Sequence, residues 1–464
     1  MYHDPQKNKI HLWESKQGKT VYSCLDHKPA YYVKDQTDTS DITDIYGTRV
    51  VKKFADSKKV LSQIRKAVKT YESDISEEVK FLHSRYGDSE ERVPSSDYNT
   101  VALDIEIEVS NEFPKPELAK YPSNLITLNF MNRDKVWTIG NRPYTGTSDL
   151  VKNYECVEDE KQLLTRFIEV WRRSKIDIVT GWNVDTFDLK YIINRCSNLG
   201  IDYSDLSPVG KVEVKKNGHC FIAGLTILDY IDLYKKFSYT PQPSYKLENI
   251  CQYEIKEGKK HYDGSIFDIY KTDWNLFVEY NIVDTVLIKK LELKRKFIDL
   301  AINLCTESRT PLEKVVSSIW VIEGYILRYL HRYNKIMPDR QSESDSDDYE
   351  DSDEDDELLG GYVEAHPGFY KFLMSFDVES LYPHMIMMFN ISPETKIKNP
   401  ESFEDLIKTP VDGVYYSKKT GILPEIVETI FKERKAFKTK MFEAEAAGNE
   451  ELTEYYDSMQ MVRK

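Results

Sequence analysis

The chain has few cysteines, six in 464 residues, and no C-x-x-C pair among Cys24, Cys156, Cys196, Cys220, Cys251 and Cys305. That spacing offers neither a disulfide framework nor a thiolate metal site, and buried free thiols are expected instead. No apolar run approaches the ~20 residues that a membrane span needs, so no membrane partner is expected. Met1-Tyr2-His3-Asp4-Pro5 has no basic region followed by an apolar one, so no secretory leader is read and a cytosolic compartment follows. No internal repeat is found. Basic residues are absent from positions 342 to 357, which hold 11 acidic side chains; against the net charge of -14, the rest of the chain carries only -14 + 11 = -3. Overall charge therefore says little about affinity for nucleic acid. Such a tract repels itself and cannot bury apolar surface, so it reads as a disordered linker. What is present is ample core material: hydrophobic residues make up 40% and the 32 tyrosines also leave rings for stacking on bases. The length exceeds one hydrophobic core, and about three units of ordinary size are expected.

The pattern changes along the chain. Residues 1–97 mix short β-like runs (Thr20-Val21-Tyr22 and Ala30-Tyr31-Tyr32-Val33) with a helix from about Lys58 to Tyr71, the makings of a small α+β unit. Residues 98–300 alternate strands with helices, an α/β pattern. Residues 301–341 are a helical return in which Pro311–Asn334 reads as helical, with Val315, Ile319, Ile322, Ile326 and Leu330 three and four apart on one face. The acidic insertion fills 342–358, a strand-rich segment 359–420, and a long helical one 421–464, which stops at Lys464 without a Gly, Asn or Pro terminator, as though cut.

Three carboxylate signals stand out in the α/β segment. In Thr100–Val109, Ile105, Ile107 and Val109 alternate with Asp104, Glu106 and Glu108, the period of a strand, so Asp104 and Glu106 share a face. Paired carboxylates repel unless a cation sits between them, and oxygen donors suit Mg²⁺ or Mn²⁺; a solvated edge strand gives the same alternation. Asp188 falls in the first turn of a helix whose buried face is Leu189, Ile192, Ile193 and Cys196, after a strand Ile176–Val179. There it is a ligand or simply an acid favoured by the helix dipole. Tyr280 and Asp284 share a face of a helix beginning near Thr272, a spacing also common in purely structural pairs.

Asp-x-Glu on a strand, Asn-x3-Phe-Asp at a strand-to-helix turn and Tyr-x3-Asp on a helix, in that order, resemble the exonuclease motifs of the DEDDy group within family B DNA polymerases. Leu228–Phe237, Gln242–Tyr245 and Glu112-Phe113-Pro114 are similar to T-even-type phage members of that family. The resemblance implies an RNase H-like domain over 98–300. It makes Asp104, Glu106, Asp188 and Asp284 ligands of two Mg²⁺ or Mn²⁺ ions, Tyr280 the residue that orients the attacking water, and Phe113 a platform for a terminal base, with a buried core phenylalanine as the alternative. Phosphodiester hydrolysis needs a hydroxide-like nucleophile and a stabilised leaving oxygen, which two metals ~4 Å apart can supply. Lys211–Ile222, around Asn217-Gly218, is the candidate for a strand-parting hairpin and is shorter than in those relatives.

Lys371–Phe389 resembles polymerase motif A of the same family, with a strand running into Asp377 and a turn at Ser380–Pro383. The resemblance implies that Asp377 holds catalytic metal, that the Leu381 amide binds the dNTP triphosphate and that Tyr382 excludes a ribose 2'-hydroxyl; His384 stands where serine is usual. Arg434 and Lys438, four apart, form a cationic pair or a merely solvated face. Similarity to the phage fingers helix favours nucleotide binding, and Met461–Lys464 resembles the start of motif B. No Asp-Thr-Asp, the motif C of the palm, occurs. The expectation is thus a multidomain α/β and α+β chain: N-terminal domain, exonuclease domain, helical return, partial palm over 359–420 and partial fingers helix over 421–464. It would be a DNA polymerase half with proofreading, acting on primer-template and single-stranded 3' ends in the cytoplasm of a phage-infected bacterium. A second polypeptide carrying motifs B and C would complete it. Rival expectations are a free-standing exonuclease with a vestigial palm and a non-catalytic nucleic-acid-binding subunit.

Overall fold

A computed structural model describes residues 1–16, 19–87, 89, 94–108, 114–238, 240–258, 266–340, 363–378, 380–397, 400 and 406–464. Phe113 and the acidic tract lie outside the described residues. The chain forms two compact units that interleave in sequence: Met1–Pro29, Ala55–Lys58 and Ser76–Arg328 make one, and Ala30–Phe54, Lys59–Ile75 and Tyr329–Lys464 the other. The expected N-terminal domain, 1–97, is therefore divided between both. Long-range pairing is the reason: Thr43–Asp44 takes Lys335–Ile336 as its parallel neighbour, and the Glu72 carboxylate accepts from Met337 N–H at 3.1 Å.

The first unit is built on a six-stranded sheet in the order Tyr154–Cys156, Lys135–Gly140, Ser123–Phe130, Thr100–Ile107, Ile178–Gly181, Thr226–Asp229. The last three strands run parallel, and Ser123–Phe130 is antiparallel to both its neighbours. One face is covered by Glu160–Ser174 and Asp188–Asn198, whose Phe167, Trp171, Leu189 and Ile192 are buried with Leu103, Ile105, Ile126 and Leu128. The opposite side carries a second cluster in which Phe277, Val278 and Ile282 of helix Trp274–Arg295 join Leu125 and Val136. Each large apolar side chain so buried contributes ~1.5–3 kcal/mol. That helix starts two residues later than expected because Asp273 caps it, accepting from Leu276 N–H at 3.0 Å. The α/β expectation for this segment is met.

Several expectations need correction. Residues Pro311–Asn334 are not one helix: a short 3-10 turn, Leu312–Lys314, precedes helix Ser318–Arg332. Its buried face is also different. Ile319 and Ile322 are exposed, while Gly324, Leu327 and Arg328 turn inward. A Cβ on Gly324 would meet the Ser308 carbonyl oxygen at 2.3 Å, so only glycine permits that approach, and Arg328 donates to carbonyls of Gly87, Ser89 and Glu307. Two of the six cysteines, Cys24 and Cys156, are exposed rather than buried.

In the second unit the strand expected to enter Asp377 does not form. Residues 363–378 make no strand and are exposed throughout, Phe369, Phe372 and Phe376 among them. A strand's N–H and C=O groups need a neighbour, and none of the described segments pairs with this one. Helix Leu381–Met388 follows, then a three-stranded sheet ordered Lys396–Ile397, Tyr415–Ser417, Leu406–Lys408. The terminal helix is two: Ile422–Ala446 and Glu450–Val462 are joined through Gly448, at φ +67, with Asn449 capping the second by accepting from Leu452 N–H at 3.1 Å. The fingers-like helix is thus followed by a second helix that begins at Glu450, ahead of Met461–Lys464. Phe437 and Tyr456 pack at 6.3 Å, and Arg463 pairs with Glu433 at 2.5 Å.

Candidate active site

The parallel strands set the site. Ile178–Gly181 pairs with Thr100–Ile107 only from Thr100 to Ala102. Beyond Ala102 the longer strand overruns its parallel neighbour, and Asp104 and Glu106 lie on that projecting end, partly buried. Crevices outside the carboxyl ends of parallel strands are where open α/β sheets bind ligands. Alternation sends Ile105 and Ile107 into the core and leaves Asp104 and Glu106 on the other face.

Two further elements meet this edge. Asp188 is the first residue of its helix and only 3% exposed; its Oδ1 accepts from Ile105 N–H at 3.1 Å, which ties it to the strand between the two acids. On helix Trp274–Arg295, Tyr280 and Asp284 are both buried, one turn apart, and Asn281 donates from its amide to Asp104 Oδ2 at 2.5 Å. Burial pushes the Asp188 carboxyl well above the usual range, and the charges of Asp229 and Asp284 push in the same direction. Asp229, which ends strand Thr226–Asp229, is pushed up to about 7, chiefly by burial. The fold therefore gathers Asp104, Glu106, Asp188, Tyr280 and Asp284 from three separate stretches of sequence onto one edge.

All four acids offer hard oxygen donors, two of them buried where their charge is costly without a cation, and this donor set suits a divalent ion such as Mg²⁺. Among the described residues no three His, Cys, Asp or Glu side chains converge tightly enough to hold an ion between them. The acids share an edge, not a closed coordination sphere.

Sequence reasoning passed over three polar residues here. Asn281, wholly buried, fastens Asp104. Asp229 Oδ1 and Oδ2 accept from the backbone N–H groups of Asn183 and Asp185, holding the loop before Asp188. The Asp185 carboxylate accepts from Cys220 N–H at 2.6 Å and from His219 Nδ1 at 2.7 Å. The only advance signal was an amide between the tyrosine and the aspartate of an otherwise apolar helical turn. The hairpin expected around Asn217-Gly218 is present, as Val212–Val214 paired antiparallel with Cys220–Ile222.

The polymerase-like residues are arranged more loosely. Asp377 is exposed, Leu381 and Tyr382 open the helix Leu381–Met388 with Tyr382 78% exposed, and the His384 ring meets Phe431 edge-on at 5.2 Å. Arg434 is half-buried and Lys438 exposed on helix Ile422–Ala446. Burial lowers the pKa of the Lys464 ammonium from its ordinary value, and the Arg434 charge pushes in the same direction.

Residues 51–250 match the exonuclease domain of DNA polymerase family B, and residues 315–464 match DNA polymerase family B itself. The chain belongs to family B of the DNA polymerases, with an RNase H-like α/β exonuclease domain followed by part of the polymerase domain. It is similar to the DNA-directed DNA polymerase of Escherichia phage RB69, 30% identical over an alignment of 394 residues that covers 75% of this chain and 42% of that protein. The DNA-directed DNA polymerase of Enterobacteria phage T4 is 30% identical over 390 residues (74% and 42%), and a DNA polymerase of Pyrococcus glycovorans 28% over 337 (70% and 41%). The chain thus spans about two fifths of the length of these relatives. Asp104, Glu106 and Asp188 fall within the first family match and Asp377 to Lys464 within the second; Tyr280 and Asp284 lie between them. Among the described residues no helix is long and apolar enough to cross a membrane.

Proposed function

We propose that this chain removes nucleotides from single-stranded 3' ends of DNA by metal-dependent hydrolysis, the proofreading half of a polymerase acting in the cytoplasm of an infected bacterium. The observation that carries the reading is the meeting of Asp104, Glu106, Asp188 and Asp284 at the carboxyl ends of parallel strands, with Tyr280 one turn from Asp284. Two bound Mg²⁺ or Mn²⁺ ions would supply a hydroxide-like nucleophile and charge stabilisation at the leaving 3'-oxygen. The four carboxylates would hold them, and Asn281 keeps Asp104 aimed by its hydrogen bond. Tyr280 would orient the attacking water through its phenol, and Phe113 would receive the terminal base. The hairpin Val212–Ile222 would part the strands. Degradation of a labelled single strand with Mg²⁺, lost in the Asp104→Ala/Glu106→Ala double variant, is the expected result; wild-type rates in that variant would overturn the assignment.

The polymerase site is read as incomplete. Nucleotidyl transfer needs metals held between carboxylates, and Asp377 alone offers one. Leu381, Tyr382, Arg434, Lys438 and Lys464 would contribute to dNTP binding, the last three as phosphate-binding cations. The exposed apolar run 363–378 is the surface on which a segment bearing motifs B and C, on a second polypeptide, would pair and complete the palm. Addition of such a polypeptide should restore primer extension, and Asp377→Ala should then remove it. Template-directed extension by this chain alone, abolished by Asp377→Ala, would refute the half-site reading.

A further inference from the structure

Asp185 stands three residues before Asp188 and outside the set of acids just described, yet it is the most heavily bonded side chain of its loop. Its carboxylate accepts two bonds from the hairpin, from Cys220 N–H at 2.6 Å and His219 Nδ1 at 2.7 Å, and its backbone carbonyl accepts the Cys220 thiol at 3.2 Å. Its own N–H donates to Asp229 Oδ2 at 3.1 Å, and Asn183 N–H donates to Asp229 Oδ1 at 2.9 Å. Asp229 in turn terminates a strand of the central sheet. The connection runs without a gap: sheet, Asp229, loop 183–185, Asp185, hairpin. The same loop leads into Asp188, which Ile105 N–H fixes to the strand of Asp104 and Glu106. Asp185 thus grips the hairpin at its turn, where Val214 pairs with Cys220, and beside that grip Lys215, Lys216 and Asn217 are exposed, two cations and an amide at the tip.

We propose that Asp185 is a positioning residue that locks the hairpin to the Asp188 loop, so that parting of the strands at the tip and hydrolysis at the carboxylates occur in fixed register. This rests on the exonuclease reading above. A hairpin free to swing would still allow an already single strand to reach the acids, because the acids are held by other bonds. It would fail to open a paired end, because a wedge transmits force only when it is held in place. Asp185 thereby sets the preference between paired and single-stranded 3' ends rather than the rate of bond cleavage.

The test measures hydrolysis with Mg²⁺ on two substrates of the same sequence, one single-stranded and one with a fully paired 3' end. In Asp185→Ala the single strand should be cut at the wild-type rate, while the ratio of paired to single-stranded cleavage falls about tenfold, the worth of one charge-assisted hydrogen bond. Asp185→Asn, which keeps one acceptor oxygen, should recover part of the ratio. If Asp185→Ala does not fold, His219→Ala carries the test, since it leaves the bond to Cys220 N–H in place and should lower the ratio by a smaller factor. An unchanged ratio, an equal loss on both substrates, or a wild-type chain that cuts single strands but never paired ends would overturn the proposal. A wild-type chain inert on single strands would instead overturn the exonuclease reading itself.

Discussion

Asp104 and Asp377 are both aspartates set within apolar runs, and the fold treats them in opposite ways. Asp104 lies on a strand with neighbours on either side, its core-facing flanks Leu103 and Ile105 sealed and its own carboxylate fixed by Asn281. Asp377 follows Phe376, which is 87% exposed, on a stretch with no strand partner. The local patterns are alike; the difference is the presence of a second segment to pair with. A carboxylate becomes a defined donor only where the backbone beneath it is satisfied and immobile.

The largest effect should come from attacking the ordered side. Asp104→Ala with Glu106→Ala should reduce release of nucleotides from a labelled single strand by at least ~10³-fold while far-UV circular dichroism stays unchanged. Asp377→Ala in the same assay should have no effect; equal losses would erase the distinction. Tyr280→Phe should cost ~10²-fold in rate, as expected for a proton-handling group, with Mn²⁺ affinity nearly that of wild type. Loss of metal affinity equal to that of Asp284→Ala would contradict its role. Asn281→Ala should weaken the Mn²⁺ dependence of hydrolysis by ~10-fold, as loss of a residue that orients a ligand does; an unaltered titration curve would show that Asp104 needs no such support.

A pH-dependent cost also belongs to the ordered unit. Burial pushes Glu292 up to about 8, where it accepts from Tyr230 Oη at 3.0 Å and Ile298 N–H at 3.1 Å. The unfolded chain loses that proton near the ordinary glutamate value, the folded one only near pH 8. The stabilisation is therefore complete below about pH 4.5 and declines as pH rises through about 8, on the order of a few kcal/mol. Glu292→Gln should flatten that decline in urea midpoints taken between pH 5 and 8, and parallel wild-type and variant profiles would exclude it. The smallest effect is expected from deleting residues 342 to 357, which should leave single-strand turnover unchanged; a folded but inactive deletion variant would show that the tract takes part.

Much of the site was legible because it depends on short-range order. Alternation put Asp104 and Glu106 on one face, and helical spacing put Tyr280 and Asp284 on another. Leu189, Ile192, Ile193 and Cys196, read as one helical face, are all buried. What could not be read depends on distant partners. Gly324 and Arg328 enter the core because the carbonyls of Gly87, Ser89, Glu307 and Ser308 lie there, overriding the Ile319, Ile322 and Ile326 stripe. Asn281 and Asp185 owe their importance to groups 177 and 35 residues away. The break at Gly448-Asn449, by contrast, was an ordinary helix stop and start that the length of the helical run concealed.

The interleaving of the two units has a consequence for the order in which a ribosome can finish them. Glu72 bonds to His331 across 259 residues, Ser73 to Asp339 across 266 and Thr70 to Asp339 across 269. These early residues leave the exit tunnel long before their partners exist. The sheet strands between Thr100 and Asp229 emerge, pair and close their core in the interval, with loop closures far shorter. Tyr71 can already pair with the backbone of Tyr32, but translation leaves Thr70, Glu72 and Ser73 without these partners until residues 331–339 arrive. Synthesised well before residues 331–339, this stretch completes its contacts only with them.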